Sequence, residues 1–122
     1  MDRTFAIAGS LSALTAVALG AFGAHFLRAR LTAEMLAVFE TGVRYHMYHA
    51  LALMATSSVA GRWPVPPAMW AGWFFVAGTV IFSGSLYLLS VTGTRWLGAI
   101  TPLGGVLFLL GWGCLAWAIV KA

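Results

Sequence analysis

The sequence predicts an all-α membrane protein: an antiparallel four-helix transmembrane bundle with a short amphipathic interfacial helix between the first and second spans. Three observations lead there. Of 122 residues, 61% are hydrophobic and only 8% charged, with a mean hydropathy of +0.92, whereas a soluble domain carries about 25% charged residues. The apolar residues fall into four runs, most near the ~20 residues a helix needs to cross a bilayer. The connectors between runs are short, so consecutive helices must return alongside one another. The chain leaves no room for a second domain and reads as one integral membrane domain over 1–122.

The first span is expected over 4–27, between Arg3 and Arg28. Its apolar stretch exceeds the ~7–15-residue core of a secretory signal, so it reads as a span. The following connector sets Glu34 and Glu40 among Met35, Leu36, Val38 and Phe39. That alternation suits an interfacial helix over 33–44, capped by Thr32 and running unbroken into a second span over 45–60. The turn Gly61-Arg62-Trp63-Pro64-Val65-Pro66-Pro67 ends one helix and lets proline start the next. The third span is expected over 67–91, followed by Thr92-Gly93-Thr94-Arg95, and the fourth over 97–120. Thr101-Pro102 has the form of an N-cap followed by proline at the first helical position, which leaves Leu97 to Ile100 at the interface.

Charge excludes one function class. The seven basic residues that give a net charge of +4 are scattered singly between apolar runs. A nucleic-acid binder would gather them on one face; here they read as loop anchors, and the expected partner is the lipid bilayer. The lone Cys114 cannot form an intrachain disulfide and reads as a small apolar residue. Trp63, Trp70, Trp73 and Trp117 fit one interfacial belt and Trp96 the other. Trp112 falls mid-span and is expected to pack or face lipid.

In lipid, helices associate largely through close packing of small residues. Gly9, Ala13, Ala16, Gly20 and Gly23 share one face of the first helix. Gly84 on the third helix and Gly104 and Gly105 on the fourth are further packing candidates. These seams read as internal packing or, alternatively, as a seam between subunits.

The polar residues gather toward one end. If every span crosses, His25, Glu40, Arg44, Tyr45, His46, Tyr48, His49, Ser83, Ser85, Tyr87 and Thr101 approach one membrane face. The other half has little beyond Ser10, Ser12, Thr15, Thr56, Ser57 and Ser58. Glu40 and Arg44 stand four apart, so they can pair on one helical face. Polar side chains in a membrane need partners, and an internal hydrogen-bond network answers that need. The alternatives are a pocket for a small ligand, lipid or quinone, a metal or haem site on His25, His46 and His49, and a proton or ion path. No nucleophile–base arrangement, phosphate loop or paired acid motif is visible, so no catalytic residue and no cofactor is predicted.

Five segments resemble a known family. They are Gly20-Ala21-Phe22-Gly23-Ala24-His25, Phe39-Glu40-Thr41-Gly42-Val43-Arg44-Tyr45, Tyr48-His49-Ala50-Leu51-Ala52-Leu53, Phe82-Ser83-Gly84-Ser85-Leu86-Tyr87 and Thr101-Pro102-Leu103-Gly104-Gly105. In order and spacing they are similar to the YgdD-like small bacterial inner-membrane proteins, domain of unknown function 423, a family related to the eukaryotic transmembrane protein 256. The resemblance implies a four-helix inner-membrane protein and no particular reaction. This chain departs from the family at His46, where glutamine is frequent, which counts against a three-histidine metal site.

The expected function is that of a non-enzymatic bundle acting through homo-oligomerisation or as an accessory subunit of a membrane complex. The alternative is small-ligand binding or transport through the polar face. Arg28, Arg30, Arg44 and Arg95 at the polar end, against Arg3, Arg62 and Lys121 at the other, lean toward a cytoplasmic polar end with both termini outside.

Overall fold

A computed structural model describes all residues from Met1 to Ala122. The chain is helical, with four long α-helices: α1 (Arg3–His25), α2 (Ala33–Arg62), α3 (Pro66–Thr92) and α4 (Thr101–Lys121). Short 3-10 turns at Leu27–Ala29 and Arg95–Ala99 lead out of α1 and into α4.

Local chemistry sets the helix ends. Asp2 caps α1 by accepting from the Phe5 amide at 3.0 Å, and Thr32 caps α2 by accepting from the Met35 amide at 3.2 Å, each satisfying a donor that the helix leaves open. Pro66 and Pro67 open α3, where a missing N–H does no harm. Gly93 closes it in the left-handed region at φ 71°, a conformation that glycine adopts without a Cβ penalty. Thr101 is not the N-cap that its sequence suggests. Ile100 holds that position without a side-chain bond, and the Thr101 hydroxyl turns toward α3 instead.

Three segments are long and apolar enough to cross a membrane: Arg3–Ala29, Pro66–Thr92 and Arg95–Lys121. α2 lies outside that set for a physical reason. Its first half carries Glu34, Glu40 and Arg44 and buries His46, and its second half buries His49, Thr56 and Ser57. Its 30 residues form one unbroken helix, as the sequence predicts. At 1.5 Å per residue it is about 45 Å long, more than the ~30 Å hydrocarbon thickness of a bilayer.

The helices pack in chain order, α1 on α2, α2 on α3 and α3 on α4, while α1 and α4 share no extensive contact. The arrangement is an open row with α1 and α4 on its two edges. Its core holds Phe5, Ala52, Leu53, Ala71, Phe75, Phe108 and Leu115. At one end, the Asp2 amide donates to the Ser57 carbonyl at 2.9 Å and the Ser57 hydroxyl donates to the Asp2 carbonyl at 2.6 Å. At the other end, Leu86, Leu89 and Leu97 cluster and Arg95 bridges to Glu34 at 3.6 Å. That pair is solvent-exposed and contributes little.

Most of the small residues serve internal seams. A Cβ on Gly9 would lie 2.9 Å from the Ala50 carbonyl, one on Gly23 would lie 2.8 Å from the Phe39 ring, and one on Gly20 would meet Val43 at 3.3 Å. Ala16 is buried with them, and Ala13 is half-buried. The face of α1 that carries these residues is therefore its α2-facing side. Gly104 admits the backbone of Phe82, which brings α4 close against α3. Gly84 and Gly105 do not serve packing as expected: nothing lies within 4 Å of either Cβ position. Both sit on helix faces that no other helix covers.

Candidate functional site

The polar residues of the predicted face do not form one cluster. They divide into two centres on either side of α3, and several stand apart.

The first centre joins α2 to α4. His49 is buried, with its ring stacked on Phe108 at 3.5 Å between centroids and 5° between planes. Its Nδ1 lies 2.8 Å from the Tyr45 carbonyl, and its Nε2 accepts from the Trp112 indole at 3.1 Å. A carbonyl only accepts and an indole N–H only donates. His49 is therefore the neutral tautomer with hydrogen on Nδ1, and both ring nitrogens are occupied. A metal on His49 would have to break one of these bonds. Tyr45 packs on Phe82 at 4.8 Å. Tyr45 and Tyr48 line a shallow groove of about 460 Å³ beside Trp112, and their rings are partly exposed.

The second centre lies on the α1 side of α3. His46 Nδ1 is 2.9 Å from the Tyr87 hydroxyl, and Ser83 donates to the Gly42 carbonyl at 2.7 Å. Nearby, at the α3–α4 seam, Ser85 donates to the Phe82 carbonyl at 2.8 Å and lies 2.6 Å from the Thr101 hydroxyl. These bonds satisfy the serine, threonine and tyrosine hydroxyls that make them, as a buried position in lipid requires.

His25, Glu40 and Arg44 join neither centre. All three are exposed, and Glu40 and Arg44 do not pair; the ion pair at this end is Arg95–Glu34. His25 ends α1 beyond the packed seam, so it does not come together with His46 and His49. No group of three or more His, Cys, Asp or Glu side chains is positioned to hold a metal ion.

A groove opens between α1 and α3 with α2 as its floor. Its volume is about 340 Å³, and its walls are Ala8 and Ser12 from α1, His46 and Leu53 from α2, and Val76, Thr79, Val80, Ser83, Gly84 and Tyr87 from α3. Its polar groups have an unusual bonding state. Elsewhere in the helices, serine and threonine hydroxyls beyond the first turn of α1 find a partner, mostly a carbonyl one turn back, as for Thr15, Thr41 and Thr56. Ser12 and Thr79 make no such bond. The Thr79 oxygen is the buried side-chain polar atom without any partner, in a residue 9% exposed. His46 uses Nδ1 alone, so its Nε2 has no partner in the protein. Three unpartnered polar groups from three helices thus line one groove.

Sequence reasoning missed three of the residues involved. Trp112 reads from its position as a packing or lipid-facing ring, yet it ties α4 to α2. Ser12 falls by span position in the polar-poor half. Thr79 has no charge or motif to mark it, although Thr79, Ser83 and Tyr87 recur at four-residue spacing, which is a stripe on one helix face.

Residues 19–105 match the family described as "Protein of unknown function (DUF423)". The chain belongs to the DUF423 family. Among its relatives, the UPF0382 membrane protein YwdK of Bacillus subtilis is 50% identical over 120 residues, covering 98% of each chain. A UPF0382 membrane protein of Staphylococcus saprophyticus is 48% identical over 90% of this chain and 91% of its own. Another, from Staphylococcus epidermidis, is 45% identical over 98% and 97%. No solved structure matches. The matched DUF423 region takes in His46, His49, Thr79, Ser83 and Tyr87, while Ser12 and Trp112 fall outside it. With relatives described as bacterial membrane proteins and three apolar helices of spanning length, the chain is a multi-pass membrane protein of bacterial type.

Proposed function

We propose that this DUF423 protein is a non-enzymatic inner-membrane binding module that crosses the bilayer four times and takes a small lipid-soluble ligand into the groove between α1 and α3. The fourth crossing is α2. Phe5, at the start of α1, packs on Trp73 near the start of α3 at 5.5 Å between rings. The chain that leaves the far end of α1 must therefore return through the full thickness before α3 begins, and α2 has the length to do so. The first turn of α2, around Glu34 beside Arg95, then lies at the interface.

One observation carries the binding reading. Within the helices, Ser12, His46 and Thr79 each leave a polar group unpartnered at a buried or half-buried position, and they line the same groove. An unpaired polar group in hydrocarbon costs several kcal/mol less a ligand's hydrogen bond. The groove's volume falls in the ~300–1,000 Å³ range of small-molecule sites. The test is a photoreactive residue at Val80, on the groove wall, irradiated in native membranes. Adducts below protein mass, absent from the same residue at the lipid-facing Leu14, are expected. Equal lipid labelling at both positions would sink the reading.

A second reading, association as a homo-oligomer or as an accessory subunit of a membrane complex, has its own observation. Gly105 and Gly113 on α4 have open space where a Cβ would stand, and α4 is an edge helix. Small residues on an uncovered face suit close helix approach in lipid. Protein-sized adducts from a photoreactive residue at Leu109 would support it.

A further inference from the structure

We infer that the groove's ligand is an uncharged carbonyl compound on a hydrocarbon body, of the isoprenoid-quinone type, with its oxygen accepting from Thr79 and His46. The inference rests on the binding reading above and adds the chemical class.

Charge excludes much. No Asp, Glu, Lys or Arg lines the groove, so an ionised ligand would enter without a counter-charge, at a cost the bilayer interior makes large. Hydrogen-bonding roles narrow the rest. Thr79 has a free hydroxyl hydrogen, because it does not donate back to its own helix. Tyr87 stands 2.9 Å from His46 Nδ1; as donor there it puts the ring hydrogen on Nε2, the second donor available to the groove. Donors from Thr79 and His46, with the Ser12 hydroxyl on the α1 wall, stand among the apolar walls Leu53, Val76 and Val80 and match an acceptor oxygen carried by an apolar ring or chain.

Depth separates two sources of such an oxygen. Thr79 is the middle residue of α3, so it sits near the bilayer centre. Glycerolipid ester carbonyls lie at the edge of the hydrocarbon, about 15 Å away from the centre of a ~30 Å core. A compound dissolved in the bilayer interior reaches Thr79 and a glycerolipid headgroup does not.

The test is equilibrium binding of a short-tailed benzoquinone to the full chain in glycerolipid nanodiscs, with empty nanodiscs subtracted. The matching alkylbenzene, which lacks the carbonyls, is the second probe. Saturable quinone binding is expected, at least about tenfold tighter than the alkylbenzene, and weakened about tenfold in Thr79→Val and in His46→Phe but not in the remote Ser58→Ala. Thr79→Val is near-isosteric, so it keeps the test informative if His46→Phe fails to fold. Equal binding of the two probes, or a Thr79→Val variant that binds quinone like the wild type, would overturn the carbonyl assignment while leaving groove binding intact. Absence of saturable binding for both probes would overturn the assignment and the binding reading together. Because glycerolipid surrounds the protein throughout, saturable quinone binding also excludes the lipid ester as the preferred occupant.

Discussion

The Trp112 indole donates to Nε2 of His49 at 3.1 Å, across a gap of 63 residues in sequence. Apart from this bond and the stacking of His49 on Phe108, α2 and α4 have little contact, since α3 packs against both. The bond therefore closes the row at one point. It also fixes the imidazole tautomer, and Phe108 holds the ring flat against its own.

Removing the donor while keeping the ring isolates this bond. Trp112→Phe leaves the buried Nε2 without a partner, and the expected loss of stability is about 1–2 kcal/mol, tempered by the smaller values typical of membrane helices. Denaturant titration in mixed micelles measures it. His49→Phe in the Trp112→Phe background should cost less than either change adds alone, because both partners of the bond are then absent.

Glycine contacts differ sharply between adjacent positions on α4, and substitution should reveal the difference. A Cβ at Gly104 would run into the Phe82 backbone, which cannot step aside; a Cβ at Gly105 meets nothing within 4 Å. Gly104→Ala is expected to destabilise by about 1–3 kcal/mol, the usual cost of overpacking. Gly105→Ala should be neutral, or stabilising by about 0.5–1 kcal/mol through helix propensity. Thermal unfolding of the two variants in one detergent compares them directly. Equal effects would mean that α3 and α4 do not meet at Gly104.

Much of the architecture was legible because its signals are local. The Thr32 cap, the prolines after Trp63 and the glycine at 93 each act within one turn of chain, and each marks a helix end in the structure. The site was less legible because it depends on helix rotation. Gly84 and Gly105 belong to recognisable segments, but segment identity does not say which face they occupy. Glu40 and Arg44 have the spacing of a pair, yet both are exposed, where water competes for them. The Thr79–Ser83–Tyr87 stripe was present in the spacing. What the spacing lacked was the knowledge that Ser12 and His46 face the same stripe.

Two hydroxyls on that stripe should respond oppositely to removal. Ser83 donates to the Gly42 carbonyl at 2.7 Å, so Ser83→Ala should destabilise the protein by about 1 kcal/mol. Thr79 has no partner. Thr79→Val replaces an unsatisfied hydroxyl by a methyl of similar volume and should leave stability unchanged or raise it by about 1 kcal/mol in ligand-free protein. Calorimetry or denaturant midpoints in delipidated micelles read both signs. A destabilised Thr79→Val would mean that the hydroxyl has a partner after all.

Crossing number and orientation can be tested together with single cysteines. In a Cys114→Ala background, cysteines at Ala29, Pro64, Gly93 and Ala122 sample the ends of all four helices. Four crossings put Ala29 and Gly93 on one side and Pro64 and Ala122 on the other. If α2 lay on the surface without crossing, Ala29 would share its side with Pro64 and Ala122, and Gly93 would stand alone. The comparison of Ala29 with Gly93 therefore decides whether α2 spans. Arg28, Arg30, Arg44 and Arg95 favour the cytoplasm for their end. An impermeant thiol reagent applied to intact cells should then label positions 64 and 122 and spare 29 and 93 until the membrane is opened. The reverse pattern would keep the four crossings and invert the orientation, while labelling that separates 29 from 93 would remove α2 as a span.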